Sequence, residues 1–145
     1  MAAVATYLNF QGNAEEAFAH YASVFGTEIA GPVVRFGDVG FGSGPDAPSM
    51  SDADMNKIVH ARLPIMMGHV LMATDMLESL GHQVRVGNNT SIHLIVDARE
   101  EADRLFALLG AGSTECSPMA DMSWGQYWGT ALDRFGIRWM ISVEA

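Results

Sequence analysis

A histidine and an arginine share one face of a predicted strand in the first half of the chain. In the β-like run Ile58–Ile65, apolar residues alternate with His60 and Arg62, and alternate side chains of a strand point to the same side. Histidine has an unperturbed pKa of about 6.5, so His60 could exchange a proton near neutral pH or ligate a metal ion. Arg62 could bind a ligand on the same face.

The second half of the chain offers a comparable face. In the run Ser91–Val96, apolar residues alternate with Ser91 and His93, and Ser91 could also contact a ligand. Together with Asp75, the histidines His60 and His93 could serve as general acids and bases or form a metal site. The other interpretation is that these are hydrogen-bonded strand residues without a chemical role, because residues on different strands need not lie close together.

The segment Trp124-Gly-Gln-Tyr-Trp-Gly129 is the densest in aromatic residues. Flat rings that line a cavity bind apolar or aromatic ligands, and a glutamine side chain can orient such a ligand. The candidate ligand-binding residues of this segment are Trp124, Gln126, Tyr127 and Trp128. The alternative is that these rings fill the core of the fold.

The composition excludes several classes of protein. The chain has 145 residues, 49% of them hydrophobic, which is typical of one compact domain. Its net charge of −9 argues against nucleic-acid binding, because neutralising phosphates requires an excess of Lys and Arg. A membrane-spanning helix needs about 18 apolar residues in a row, and the chain has no such run.

Cysteine usage and the N-terminus suggest a compartment. A single cysteine, Cys116, excludes a disulfide framework and a cysteine-based zinc site, and we expect it to be a buried, unreactive thiol. The first residues lack the basic start of a secretory signal. We therefore expect a cytoplasmic protein.

Two amphipathic helices of matching design predict an internal repeat. Asn13–Gly26 and Asp97–Gly110 each begin with an N-cap acceptor, carry an acidic residue three positions later (Glu16, Glu100) and end in a glycine. Each glycine is expected to adopt the left-handed conformation that terminates helices. The two caps lie 84 residues apart, which fits two half-domains better than a solenoid repeat.

Predicted strands surround both helices. They are Tyr7–Phe10, Ile29–Phe36, Ile58–Ile65 and Val70–Thr74 in the first half, and Ser91–Val96, Ser113–Cys116, Tyr127–Leu132 and Ile137–Val143 in the second. Each half therefore consists of strand, helix and three strands, with half-repeats at about 1–75 and 91–145 and a connector at 76–90. The glycine- and proline-rich segment 37–54 is expected to lack regular structure, as a mobile lid or a disordered loop.

Such a doubled βαβββ plan resembles the vicinal oxygen chelate superfamily, which includes glyoxalase I, bleomycin and fosfomycin resistance proteins and extradiol dioxygenases. Several stretches resemble its PhnB-like branch: Tyr7–Ala17, Tyr21–Gly26, Ile58–Leu63, Leu71–Asp75, Trp124-Gly125 and Asp133–Met140. The resemblance implies an α+β fold of two βαβββ half-domains, whose mixed sheets form cups with the helices outside. It also implies a ligand cavity within the cups and a homodimer.

Metal-dependent members of the superfamily carry four ligands inside the cups. The corresponding positions here are Ala5 or Thr6, Ala73, Ser91 and Met140. None is a histidine or a carboxylate, so we expect no cofactor and no stoichiometric metal ion. Alternation along the strands turns His60 and His93 inward, and parity with Ala73 turns Asp75 inward. These three residues could still hold a displaced metal.

Three functions follow from these observations. The first is a protein that binds a small apolar or aromatic molecule in a cup-shaped cleft without a metal. The second is a glyoxalase- or dioxygenase-type enzyme, with a displaced metal site or metal-free acid/base chemistry through His60 and His93. The third is a non-catalytic structural or partner-binding dimer. PhnB-like proteins have carried a methyltransferase label, but this chain has no strand-to-helix Gly-x-Gly-x-x-Gly segment for a methyl-donor nucleotide.

Overall fold

The structure, a computed structural model, describes residues 1–40 and 50–144. The chain forms two compact units, Met1–Val84 and Arg85–Ala145, and the boundary between them lies within the predicted connector 76–90. Much of the predicted loop 37–54 lies outside the described residues. Its two described ends contain short helical turns, so the expectation of no regular structure is wrong there.

In its described residues, 1–40 and 50–84, the first unit contains four strands and two helices. Its elements are β1 (Thr6–Phe10), α1 (Ala14–Phe25), β2 (Val34–Arg35), α2 (Asp52–Met55), β3 (Ile58–Pro64) and β4 (Val70–Asp75). The sheet order is β1-β4-β3-β2, with β1 parallel to β4 and the other pairs antiparallel. Short 3-10 helices occupy Phe36–Val39, Met66–Gly68 and Glu78–Leu80. The predicted strand Ile29–Phe36 is reduced to β2, because Gly31 has a positive φ of 73° and Pro32 lacks an N–H for a ladder.

One face of the first sheet is buried against α1. The buried residues of the helix recur at helical spacing and those of the strands at alternate positions, as amphipathic elements require. They are Ala14, Ala17, Phe18, Tyr21 and Val24 of α1, with Leu8, Phe10, Ala61, Leu63, Leu71 and Ala73 of the sheet. The other face of the sheet is partly exposed.

Helix α1 is terminated differently at its two ends. The predicted cap residue Asn13 makes no side-chain capping bond, so the predicted capping box is absent. The N–H of Ala14 instead donates to the Asp75 carboxylate at 2.9 Å. At the other end Gly26 has φ 65°, which confirms the predicted left-handed glycine.

The second unit repeats the plan. Its elements are β5 (Ile92–Val96), α3 (Arg99–Leu109), β6 (Cys116–Asp121), β7 (Tyr127–Leu132) and β8 (Arg138–Val143). The sheet order is β5-β8-β7-β6, with β5 parallel to β8. Its core contains Leu94, Val96, Ala102, Leu105, Leu109, Ala131, Trp139 and Ile141. The α+β class and the two βαβββ halves are therefore confirmed.

A buried aspartate organises the turn between β7 and β8. Asp133 accepts hydrogen bonds from the N–H groups of Phe135 and Ile137, each at 2.9 Å. Its second oxygen accepts from the indole N–H of Trp139 at 2.8 Å. The carboxylate thus fixes the turn and anchors the largest side chain of the core.

Three details of the second unit differ from the sequence-based expectation. Helix α3 begins after Ala98, so Asp97 is not its N-cap. Gly110 has φ −83°, so the expected left-handed conformation is wrong at this position. Strand β6 starts at Cys116 and continues through Pro118, because a register shift between Ser117 and Ala120 accommodates a proline on this edge strand.

Among residues 1–40 and 50–144, no helix has the length and apolar character needed to cross a membrane.

Candidate functional site

Asp75 lies on the helix-facing side of the first sheet. It is 3% exposed and shares its face with Ala73, which pairs with Ala61 of β3 and Leu8 of β1. One carboxylate oxygen accepts from the N–H of Ala14, and the other accepts from the N–H of Ile58 at 2.8 Å. The prediction that Asp75 points into the cup is therefore wrong, because its parity was taken from Ala73, which also faces the helix.

The opposite face of this sheet brings two rings together. Tyr7 and His60 stack with ring centroids 6.1 Å apart and an interplanar angle of 30°. Strand register places Arg62, Met72 and Tyr7 in one row across β3, β4 and β1. We call this side the first open face; it comprises Tyr7, Asn9, His60, Arg62, Met72 and Thr74. The predicted common side of His60 and Arg62 agrees with this register.

Tyr7 was not among the predicted site residues. Alternation along β1 could have identified it, because Leu8 and Phe10 are the apolar residues of this strand and Tyr7 lies on the opposite side. The side chain is 50% exposed, so part of a large ring is open to solvent on this face.

Arg62 differs from most arginines of this chain. Ion pairs join four others to carboxylates: Arg35 to Glu15, Arg99 to Asp121, Arg104 to Glu101 and Arg138 to Glu115. Within residues 1–40 and 50–144, the guanidinium of Arg62 has no ion pair and no side-chain hydrogen bond. An exposed, unpaired cation therefore stands on the first open face.

The corresponding side of the second sheet carries a histidine held by a serine. His93 Nε2 lies 2.8 Å from Ser142 Oγ, and which atom donates depends on the histidine tautomer. His93 is exposed, whereas Ser142 is 0% exposed. Register pairs Met140 with His93 and with Thr130 of β7, and pairs Ser142 with Trp128. We call this side the second open face; it comprises His93, Ile95, Trp128, Thr130, Met140 and Ser142.

The aromatic segment is divided between the two sides of this sheet. Trp124 packs edge-on against Trp128, with centroids 6.4 Å apart. The Trp124 indole N–H donates to Gln126 Oε1 at 2.8 Å, and the Gln126 amide donates to Glu144 at 2.9 Å. Gln126 therefore holds Trp124 beside the second open face.

Tyr127 belongs to the helix side. Its hydroxyl donates to Asp103 of α3 at 2.6 Å, and the Arg99 guanidinium lies 4.3 Å from its ring centre. The hydrogen bond to the Asp103 carboxylate raises the pKa of Tyr127 above its ordinary value. Tyr127 and Trp128 thus face opposite ways, as neighbours on a strand must.

Cavities coincide only in part with these faces. A cavity of about 790 Å³ in the first unit is lined by Arg35, Lys57 and Asp75, among others. These groups are engaged, since Arg35 binds Glu15 and the Lys57 ammonium donates to the Gly12 carbonyl at 2.6 Å.

A smaller cavity of about 190 Å³ lies in the second unit. Ser91, Thr130 and Arg138 line it, as does Cys116. Cys116 is exposed, so the prediction of a buried thiol is wrong; it stands on the outer strand of the sheet. Arg138 is occupied by the Glu115 carboxylate at 2.8 Å and by the Gly87 carbonyl at 2.6 Å.

Comparison with known proteins identifies the family. No protein-family model matches the chain. Protein PA1353 from Pseudomonas aeruginosa is 32% identical in sequence, and the match covers 99% of this chain and 98% of that one with a TM-score of 0.78. The PhnB protein from Bacillus cereus is 22% identical with a TM-score of 0.76, and the match covers 98% of this chain and 99% of that one. The chain is a PhnB-like protein of the vicinal oxygen chelate superfamily.

Protein YjdN of Escherichia coli (strain K12) is 28% identical over 142 residues, 94% of this chain and 92% of that protein. Solved members of the glyoxalase/bleomycin resistance/dioxygenase family have the same fold. The glyoxalase/bleomycin-resistance-like fold expected from the sequence is therefore confirmed.

The structure also refines where the superfamily's metal ligands would lie in this PhnB-like chain. Because Met72 and Met140 occupy equivalent register positions, Met72 replaces Ala73 in the predicted set. Thr6 pairs with Leu71 on the helix-facing side, which leaves Ala5 as the position on β1. Methyl, thioether and hydroxyl groups do not fit Zn²⁺, Fe²⁺ or Mn²⁺, which take imidazole or carboxylate ligands. Within the described residues, no three His, Cys, Asp or Glu side chains converge as metal ligands.

Proposed function

We propose that this protein binds a small, flat apolar or aromatic molecule on its open sheet faces, without the metal ion of the metal-dependent members. The observation that carries the proposal is the exposure of rings on or beside these faces: Tyr7 is 50% and Trp124 is 63% exposed. Exposed large rings are costly in water, and a flat ligand stacked on them removes that apolar surface from solvent.

The proposed contacts follow the two faces. On the first open face they are His60, Arg62 and Tyr7; on the second they are Trp128 with Trp124, which Gln126 holds in place. Ser91 is retained as a contact because it lines the smaller cavity. We leave Asp75 and Tyr127 out, because backbone N–H groups and helix α3 occupy their polar atoms.

A thermal-shift screen tests this function. Flat aromatic compounds at about one hundred times their Kd should add about 2.7 kcal/mol of stability, which corresponds to a shift of about 5–10 °C for a domain of this size. Elemental analysis should give well under one divalent metal ion per chain. One Zn, Fe or Mn per chain, abolished by the His60→Ala/His93→Ala double variant, would replace the binding function by a metalloenzyme function.

One observation favours a second candidate, metal-free acid/base chemistry through His60 and His93. Ser142 fixes the His93 ring through Nε2, which leaves Nδ1 available for a proton. Ser142 itself is buried, so it orients the base and is not a nucleophile. Turnover of a bound compound, lost in His93→Gln and reduced in Ser142→Ala, would support this candidate over simple binding.

We also propose that the protein forms a homodimer. Strand β6 is an exposed edge, and Ile95 stands 52% exposed on the second open face. Unpaired edges and uncovered apolar faces are commonly covered by a second copy of the same chain. Sedimentation equilibrium at micromolar concentration should show twice the 15.6 kDa chain mass, and a purely monomeric species would contradict the proposal.

A further inference from the structure

We propose that the first open face selects an aromatic carboxylate, with the ring stacked beside Tyr7 and His60 and the carboxylate bound by Arg62. This inference rests on the proposed function and names the class of ligand. It begins from the charge balance of the chain, which has 17 acidic residues against 8 lysines and arginines. In such a chain an unpaired arginine is the exception.

Because the chain has an excess of acidic residues, an arginine without a carboxylate partner suggests that its site is kept open for a ligand. Carboxylates neutralise Arg35, Arg99, Arg104 and Arg138. Arg134 lies over the Phe135 ring, with its guanidinium 4.5 Å from the ring centre. In the described ranges 1–40 and 50–144, only Arg62 and Arg85 make neither kind of contact, and Arg62 is the one on an open face.

The surroundings of Arg62 fit a planar anion. Neighbouring strands lie about 4.8 Å apart, so the row Arg62–Met72–Tyr7 spans about 10 Å across β3, β4 and β1. His60 stands two residues along β3, about 6.6 Å from Arg62, and stacks on Tyr7. These separations match a fused-ring acid whose ring lies over Met72 and Tyr7 and whose carboxylate reaches Arg62.

Among the residues that the structure describes, no acidic side chain belongs to this face. Its other members are a phenol, an amide, an imidazole, a thioether and a hydroxyl, namely Tyr7, Asn9, His60, Met72 and Thr74. The nearest carboxylate along β4, Asp75, points to the opposite side and is held by two backbone N–H groups. An incoming carboxylate therefore has Arg62 as a partner without a competing acid on the same face, and guanidinium–carboxylate pairs are bidentate and strong.

The test compares matched charged and neutral probes. Equilibrium dialysis with 2-naphthoate and 2-naphthamide, and with benzoate and benzamide, measures the contribution of the charge alone. We expect the full-length protein to bind each carboxylate at least about tenfold more tightly than its amide, the effect of a charge-assisted hydrogen bond. Arg62→Gln should remove that preference, bringing the acid and the amide to similar affinities, whereas Arg62→Lys should retain part of it.

Arg85→Gln is the matched control. It removes the same charge from the other unpaired arginine, which lies in the second unit, and should leave the preference intact. Equal binding of acid and amide by the parent protein, or equal losses in Arg62→Gln and Arg85→Gln, would overturn the inference while the binding function stands. Binding of none of the four probes would overturn both.

Discussion

The two open faces occupy equivalent positions in the repeat and present different chemistry. Met72 and Met140 fix the equivalence, since each pairs with one residue of the first strand and one of the third strand of its unit. On the first strand, Tyr7 corresponds to His93. On the third strand, Arg62 corresponds to Thr130.

This difference separates what the fold needs from what it leaves free. Most helix-facing positions carry apolar residues in both units, with Asp75 and Tyr127 as polar exceptions, because each helix needs an apolar sheet surface. The open positions have diverged: the first face holds a cation and two stacked rings, whereas the second holds a histidine fixed by Ser142 and a tryptophan. Divergence concentrated on one side of two related sheets is what different binding tasks on a common scaffold would produce.

The largest expected losses of folding stability come from removing the buried carboxylates, Asp75 in the first unit and Asp133 in the second. Asp75→Ala should cost about 3 kcal/mol, because two backbone N–H groups lose a charged acceptor in a buried place. Asp133→Ala should cost about 4 kcal/mol, because the Trp139 indole also loses its partner. Urea denaturation measures both, and Asn13→Ala, which removes no capping bond, is the control with a change below about 0.5 kcal/mol.

Equal, small losses in Asp75→Ala and Asn13→Ala would show that Asp75 does not hold α1.

The next largest loss of stability is expected at a position where the second sheet has a glycine and the first sheet has an alanine. Gly129 of β7 is equivalent to Ala61 of β3, since each pairs with a buried residue of the strand that follows it. A Cβ at Gly129 would lie 2.6 Å from Met119 Sδ and 3.0 Å from the backbone of β6. Gly129→Ala should therefore destabilise the protein by about 2 kcal/mol, as overpacking does.

The converse change in the first unit, Ala61→Gly, should cost about 1.5 kcal/mol, because it increases the backbone entropy of the unfolded chain and removes a buried methyl group. Thermal denaturation compares the two variants. A smaller loss in Gly129→Ala than in Ala61→Gly would show that the outer strand β6 can move aside.

Hydrophobic periodicity in the sequence predicts the elements of this fold, but it does not fix which side of a strand a residue faces when the position is uncertain by one residue. The repeat and both long helices follow from apolar spacing that tertiary contacts do not override. The alignment to the superfamily places Ala73, and not its neighbour Met72, inside the cup. Because a shift of one residue along a strand exchanges the two faces, parity with Ala73 predicts the wrong side for Asp75. Gly110 was assigned for its φ, but its Cβ would lie 2.7 Å from the Phe106 carbonyl, so close approach is what excludes a side chain.

The unpaired state of Arg62 could not be predicted from sequence. Whether an arginine finds a carboxylate depends on where the fold places every acidic residue, and partners such as Glu15 for Arg35 or Asp121 for Arg99 are distant in sequence. By contrast, the common face of His60 and Arg62 followed from alternation along a single strand.

A smaller effect, on ligand affinity, tests whether the two open faces bind ligands independently. Trp128→Ala should weaken binding of the neutral probe 2-naphthamide to the second open face about fivefold, the scale of one aromatic contact. It should leave the affinity of 2-naphthoate, bound beside Arg62 on the first open face, unchanged. Quenching of tryptophan fluorescence by the probe measures this affinity, because Trp139 is 0% exposed and serves as an internal reference. Loss of the carboxylate preference in Trp128→Ala would show that the two faces do not act separately.

The smallest expected effect tests whether the aromatic segment is really divided. The hydrogen bond to Asp103 raises the pKa of Tyr127, so in the folded state this phenol keeps its proton to higher pH than an ordinary tyrosine. A raised pKa in the folded protein means that the bond stabilises it below the ordinary tyrosine pKa and that this contribution disappears as pH rises through the raised value. Absorbance titration of the phenolate should therefore show Asp103→Asn shifting the Tyr127 transition to lower pH, and Tyr127→Phe should leave binding of every probe unchanged. A weakened affinity in Tyr127→Phe would place this ring with Trp128 in the ligand site, contrary to its packing against α3.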